Sequence, residues 1–234
     1  MPRTIEIYAD CASLDAIEVY ANRPDVSGIT TNPSLMKAAG IKDYSAFAKT
    51  VLALVPREKM VSFEVLSDDP PVIRKQAERV AGWGPNVLVK VPIRTSMGYG
   101  LDTLISGLAM YGMAINVTAI CDYESAERAA WAVAGNPDCV LSLFAGRVAD
   151  AGRDPKAFVK TIRRNIKKHV KVLWASPRQV FDVKLAMAAG ANIITLTPQL
   201  IQRMSGFGRS LEAVTQGTVK QFTEDAKGIS WGVE

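Results

Sequence analysis

Residues 86–120, NVLVKVPIRTSMGYGLDTLISGLAMYGMAINVTAI, contain one complete strand, helix and strand. The run Val87-Leu88-Val89-Lys90-Val91-Pro92 is apolar on nearly every residue, as a strand covered on both faces requires. Leu101 to Tyr111 is helix-like, Gly112 offers a left-handed stop, and Ala114 to Ile120 is again strand-like. Moving outward, similar runs begin near residues 4 (TIEIYA), 27 (SGITTN), 60 (MVSFEV), 139 (CVLSLF), 170 (VKVLWAS) and 192 (NIITLTP). With the two already quoted there are eight, 22 to 33 residues apart, and a helix-like segment separates each from the next. Eight such units predict a single (β/α)₈ barrel, an α/β fold, with an open doubly wound sheet as the alternative. That alternative lacks its Gly-rich first turn, because Asp10 leads into Cys11-Ala12-Ser13.

The predicted helices cover Ser13 to Ala21, Tyr44 to Val55, Pro70 to Ala81, Leu101 to Tyr111, Tyr123 to Ala134, Pro155 to Lys168 and Arg178 to Ala189. Ser13 and Asp122 are candidate N-caps, and Pro70, Pro155 and Pro177 suit a first helical turn. Gly112, Gly135 and Gly190 are candidate left-handed stops. One domain, 1–234, is expected. Within it, residues from about 199 form a short helix near Pro198 to Met204, a break at Gly206 and Gly208, a helix from Arg209 to Lys227, and a tail bearing Trp231. That tail either docks onto this or a neighbouring subunit or frays.

The 234 residues are 48% apolar and 22% charged, which fits a folded globular protein. No apolar run approaches the ~20 residues of a membrane span, and no signal-peptide core is evident, so a cytoplasmic location is expected. Cys11, Cys121 and Cys139 form neither a disulfide framework nor a zinc motif. With one histidine, His169, metal-centred and triad chemistries lose their main reagent, and no metal or cofactor is expected. The net charge is +5, yet Lys160, Arg163, Arg164, Lys167, Lys168 and Lys171 supply six positive charges in one stretch. At helical spacing opposite Val159, Ile162, Ile166 and Val170, they read as the solvated face of an outer helix. A nucleic-acid or other anion-binding module is the rival reading, weakened because no aromatic residue interleaves the charges.

In a (β/α)₈ barrel the site forms at the carboxyl ends of the strands. Here those ends are Asp10, Asn32, Glu64, Lys90, Thr118, Ser142, Ser176 and Thr195 or Thr197, a ring of polar side chains above apolar runs. Lys90 is flanked by apolar residues on both sides, where a lysine must be paired, neutralised or functional. Burial disfavours its ammonium form, which is how a lysine becomes a nucleophile for carbonyl carbon. Pairing with Glu64 or Asp10 for packing alone is the alternative. Lys171 lies at the start of its strand, within reach of solvent. Asp10 and Glu64 can move protons for a Schiff-base reaction, Thr118 can hold a water, and Arg147 and Arg178 with Ser176 can clamp a phosphate.

These residues, in this order, resemble the transaldolase family, in particular its short branch that includes fructose-6-phosphate aldolases. The likeness runs from IEIYAD through GITTNPSL, FEV, VLVKVP, INVTAI, LSLFAGR and WASPRQ to the C-terminal helix, and TTNPS and VKVP are its most specific segments. It implies a (β/α)₈ barrel in which Lys90 forms the Schiff base, Asp10 is the acid/base group and Thr118 positions the catalytic water. Asn32 binds substrate, Ser142 and Arg147 line its site, and Ser176 and Arg178 hold the phosphate. It further implies phosphorylated sugar substrates and a homo-oligomer, by likeness a decamer assembled through the C-terminal helix; nucleic acid and membrane are not expected partners.

Glu64 and Phe144 match the transaldolases, where the fructose-6-phosphate aldolases carry Gln and Tyr. The resemblance therefore favours transfer of a dihydroxyacetone unit from sedoheptulose 7-phosphate or fructose 6-phosphate to an aldose phosphate, with aldolase-type cleavage or another anionic sugar as alternatives. Cys11-Ala12 departs from the usual Thr-Ser or Thr-Ala. Trp174 stands where relatives have a small residue, two positions before Ser176, and either reshapes the pocket or joins the core. The Ser176-Pro177-Arg178 segment is shorter than its counterpart in the aldolases, so Arg178 aligns with either of two family arginines.

Overall fold

The computed structural model describes residues 4–232. The strands are β1 (Glu6–Asp10), β2 (Gly28–Thr30), β3 (Met60–Glu64), β4 (Val87–Pro92), β5 (Ile115–Ile120), β6 (Val140–Leu143), β7 (Lys171–Trp174) and β8 (Ile193–Leu196). All pair in parallel with their sequence neighbours, and β8 returns to β1, so the sheet is a closed barrel. The chain divides into two compact units between Ile201 and Gln202, and the barrel belongs to the first.

The connecting helices are α1 (Leu14–Ala21), α2 (Pro33–Ala38), α3 (Tyr44–Leu54), α4 (Pro70–Ala81), α5 (Asp102–Met110), α6 (Tyr123–Ala132), α7 (Ala145–Asp150), α8 (Pro155–Asn165) and α9 (Asp182–Ala189). After β8 come α10 (Pro198–Arg203), a 3₁₀ turn at Met204–Gly206, and α11 (Leu211–Asp225), capped by Ser210. No described helix is long and apolar enough to cross a membrane.

Strand periodicity divides the barrel interior into layers. At the bottom Tyr8, Leu88, Val140, Leu173 and Ile193 pack together with Met60 and Ala114. Tyr8 fits because its partner across the register is Gly28, where a Cβ would stand 2.7 Å from the Tyr8 ring and 2.8 Å from the Met60 carbonyl. Above lies a polar layer in which Asn116 donates to Ser62 Oγ at 3.1 Å and accepts from Ser142 Oγ at 2.7 Å. These groups satisfy one another, which is what burial of polar atoms demands. The strand ends rise from this layer.

The capping expectations met mixed outcomes. Asp122 caps α6 through Ser125 N, and Pro70 and Pro155 open α4 and α8. Ser13 occupies the N-cap of α1 without a side-chain hydrogen bond. Gly112 and Gly190 are left-handed, but Gly135 is not. Pro177 lies in a loop, because α9 begins only at Asp182. The expected helix to Lys168 stops at Asn165: Ile166 is extended, and Arg163 donates to the carbonyls of Lys167 and Val170. Lys167, Lys168 and Lys171 therefore lie beyond the helix, and the basic stretch is not one continuous helical face. His169 is exposed and contacts the Ala134 carbonyl at 2.9 Å. Trp231 is exposed.

Candidate active site

Eight strand ends and the loops after them enclose a cavity of about 460 Å³, lined among others by Asp10, Asn32, Glu64, Lys90, Ser142, Phe144, Arg147, Ser176 and Thr195. Lys90 is buried at its floor. Its Nζ lies 2.9 Å from Glu64 Oε2 and donates to the Thr31 carbonyl at 3.0 Å. The pairing follows from register, since Glu64 and Lys90 are opposite one another on β3 and β4 and share the inward face. The Thr31 carbonyl is held in turn, because Thr31 N and Oγ1 both bond to the Ser62 carbonyl.

Asp10 ends β1. Thr30 Oγ1 donates to its Oδ1 at 2.8 Å and also contacts Thr195 Oγ1, which ties β1, β2 and β8 together. Burial pushes the Asp10 carboxyl above its ordinary range, and the Glu64 charge pushes the same way. Lys90 and hydrogen bonds from Thr30 and Asn32 oppose that shift without cancelling it. Asn32 caps α2 by accepting from Leu35 N at 2.9 Å, which leaves its amide NH₂ for the cavity. The cap and the site are thus one residue.

The other side of the mouth is built from irregular backbone. The β5/β6 register shifts between Val117 and Ile120, where Ala119 takes a φ of 61° and lines the cavity. Thr118, just before it, is buried off the cavity wall, and its Oγ1 has no hydrogen-bond partner among the described residues. Ser176 has a φ of 60°, a conformation costing about 1–3 kcal/mol in a residue with a side chain. It is held by the start of α7: a Cβ on Gly146 would stand 1.6 Å from the Ser176 carbonyl oxygen. Only glycine permits that approach. Asp182 supports the same loop, accepting from Arg178 N at 2.7 Å and Gln179 N at 3.3 Å.

The two arginines differ. Arg147 lines the cavity with its guanidinium 5.3 Å from the Phe144 ring centroid. Arg178, expected beside it, is off the cavity wall and ion-paired with Asp150. Trp174 is fully buried and alternates with Leu173 and Ala175 of the barrel interior, so it faces the helices and belongs to the core. Two positions on, Ser176 lines the cavity instead, because its positive φ breaks the strand alternation. Cys11 is likewise packing: it is buried, and burial pushes its thiol up to about 12. Sequence reasoning missed Thr30, Asn116 and Ala119. Asn116 was discoverable two positions before Thr118 on the same face of β5, and Thr30 as the polar residue that ends β2.

The family model for Transaldolase/Fructose-6-phosphate aldolase matches residues 7–232. A probable transaldolase of Dehalococcoides mccartyi is 32% identical over 228 residues, covering 96% of this chain and 99% of that one. A probable transaldolase of Roseiflexus castenholzii is 35% identical over 202 residues, covering 85% and 88%. Among solved structures, a putative dihydrodipicolinate synthase family protein from Coccidioides immitis has a TM-score of 0.62 at 11% identity. It covers 95% of this chain and 75% of that chain, and the likeness is one of fold.

Proposed function

Since the chain belongs to the transaldolase/fructose-6-phosphate aldolase family, we propose that it transfers a dihydroxyacetone unit between sugar phosphates through a Schiff base on Lys90. The observation that carries this reading is Lys90, buried in the cavity with its Nζ 2.9 Å from the Glu64 carboxylate. Asp10 lines the same cavity.

In the proposed cycle, the neutral Lys90 amine adds to C2 of the ketose, and the carbinolamine hydroxyl, once protonated, leaves as water. Glu64 relays those protons, and the Thr118 hydroxyl, one residue before Ala119 of the cavity wall, positions the water. Asp10 takes the proton of the C4 hydroxyl, the C3–C4 bond breaks, and its electron pair flows into the iminium to give an enamine on Lys90. The aldose phosphate departs. An acceptor aldehyde then takes the enamine carbon, Asp10 returns its proton to the new alkoxide, and hydrolysis of the iminium by water releases the new ketose phosphate and frees Lys90. A carboxyl raised above its ordinary range is a better match for this two-way duty than an ordinary one. Asn32 and Ser142 hold the sugar hydroxyls, and Arg147, Ser176 and Arg178 take the phosphate.

Phe144 decides between transfer and simple cleavage. It offers no hydroxyl to protonate the enamine, so the three-carbon unit stays bound until an aldehyde arrives. With fructose 6-phosphate alone, little free dihydroxyacetone should form; adding erythrose 4-phosphate should start turnover. Glu64→Gln with Phe144→Tyr should shift the balance toward free dihydroxyacetone. Rapid release without an acceptor in the unaltered protein would instead favour the aldolase reading.

The reading extends to a homo-oligomer in the cytoplasm, a decamer by likeness to the short branch. None of the 15 residues of α11 is buried, and Leu211, Val219 and Phe222 stand exposed on it, which supports cover by another subunit.

A further inference from the structure

The Arg178 guanidinium is already engaged. Its Nε donates to Asp150 Oδ1 at 3.1 Å and its Nη2 donates to Asp150 Oδ2, a two-pronged pair at the surface. Asp150 closes α7 three residues after Arg147, so the two side chains stand on one side of that short helix. The hydrogen bonds from Arg178 hold the Asp150 carboxyl below the usual carboxylate range, and the Arg147 charge adds a smaller pull. Arg147 lines the cavity and Arg178 does not. Asp150 therefore takes one unit of positive charge away from this side of the mouth.

We propose that Asp150 is a positioning residue that limits anion affinity, restraining Arg178 outside the cavity so that a sugar phosphate must compete with its carboxylate. The inference rests on the transferase reading for its purpose. In such a cycle an aldose phosphate leaves and another enters at the same anion site during every turnover. A site with two free arginines would hold the departing phosphate and slow the exchange. Asp150 weakens the site by occupying one arginine and by repelling the arriving anion, and both effects vanish when its charge is removed. An arginine fork that binds carboxylate binds phosphate with the same geometry, which makes the competition direct.

The test is inorganic phosphate binding to the full-length protein by titration calorimetry, comparing wild type with Asp150→Asn and Asp150→Ser. Both variants should bind phosphate about three- to tenfold more tightly. The KM for fructose 6-phosphate should fall in parallel, while Asp150→Glu should return both values toward wild type. A merely structural role would not tighten anion binding. Unchanged or weaker phosphate binding in the folded variants would overturn the proposal, because Asp150 would then be neutral or would aim Arg178 at the anion. The calorimetric result stands apart from activity: failure of the wild-type protein to turn over any ketose phosphate would remove the transferase reading, whereas unaltered phosphate affinity would remove only the role of Asp150.

Discussion

The two halves of the barrel mouth are built differently. On the β1–β4 side, Asp10, Glu64 and Lys90 project from regular strands in perfect register, and each contacts a neighbour on the adjoining strand. On the β5–β7 side, Ala119 and Ser176 hold left-handed backbone, one strand pair slips in register, and the arginines come from the segments that follow the strands. Regular strands fix atoms to a few tenths of an ångström, which suits bond making and breaking. Loops held by a glycine contact and a carboxylate suit an anion that must come and go. The chemical half is rigid by register, and the anion half is adjustable by construction.

The sharpest break of this comparison is Asp10→Asn. It should lower kcat by about 10²- to 10⁴-fold, with less effect on phosphate binding. Its stability should move the other way. The folded carboxyl has a raised pKa, so the stability linked to its proton is present below the unfolded value and lost as pH rises through the folded one. Asparagine cannot suffer that loss. Thermal unfolding at about pH 4 and about pH 8 should show the variant gaining on wild type at the higher pH. A variant that loses ground as pH rises would mean that Asp10 is stabilised as a carboxylate, contrary to its environment.

Gly146→Ala addresses the other half. The added methyl meets the Ser176 carbonyl at 1.6 Å, so the backbone of the β7 loop must move. A loss of about 1–3 kcal/mol in stability is expected, with a fall of roughly ten- to a hundredfold in kcat/KM for a phosphorylated donor. Borohydride trapping of unphosphorylated dihydroxyacetone should survive better than kcat/KM. Equal damage to both readouts would erase the division of the mouth into two halves.

The same division explains what could be read in advance. Asp10 and Glu64 were legible as charged residues at the carboxyl ends of their strands, and Lys90 as a lysine set between apolar residues within one. The short helix α2 was overlooked, although Asn32-Pro33 is an N-cap followed by a first-turn proline. No such signal preceded α7, whose N-cap position is Phe144. Trp174 and Arg178 were harder still: strand alternation fails at Ser176, and the partner of Arg178 is 28 residues away at the end of α7. Period-two reasoning carries to the last regular residue of a strand and no further.

The most direct measurement of the central claim is reductive trapping. Fructose 6-phosphate and borohydride should leave a three-carbon adduct on the peptide containing Lys90, identified by mass spectrometry, and Lys90→Ala should show none. An adduct on a different lysine, or no adduct from any ketose phosphate under conditions that support turnover, would contradict the assignment of Lys90 as the nucleophile.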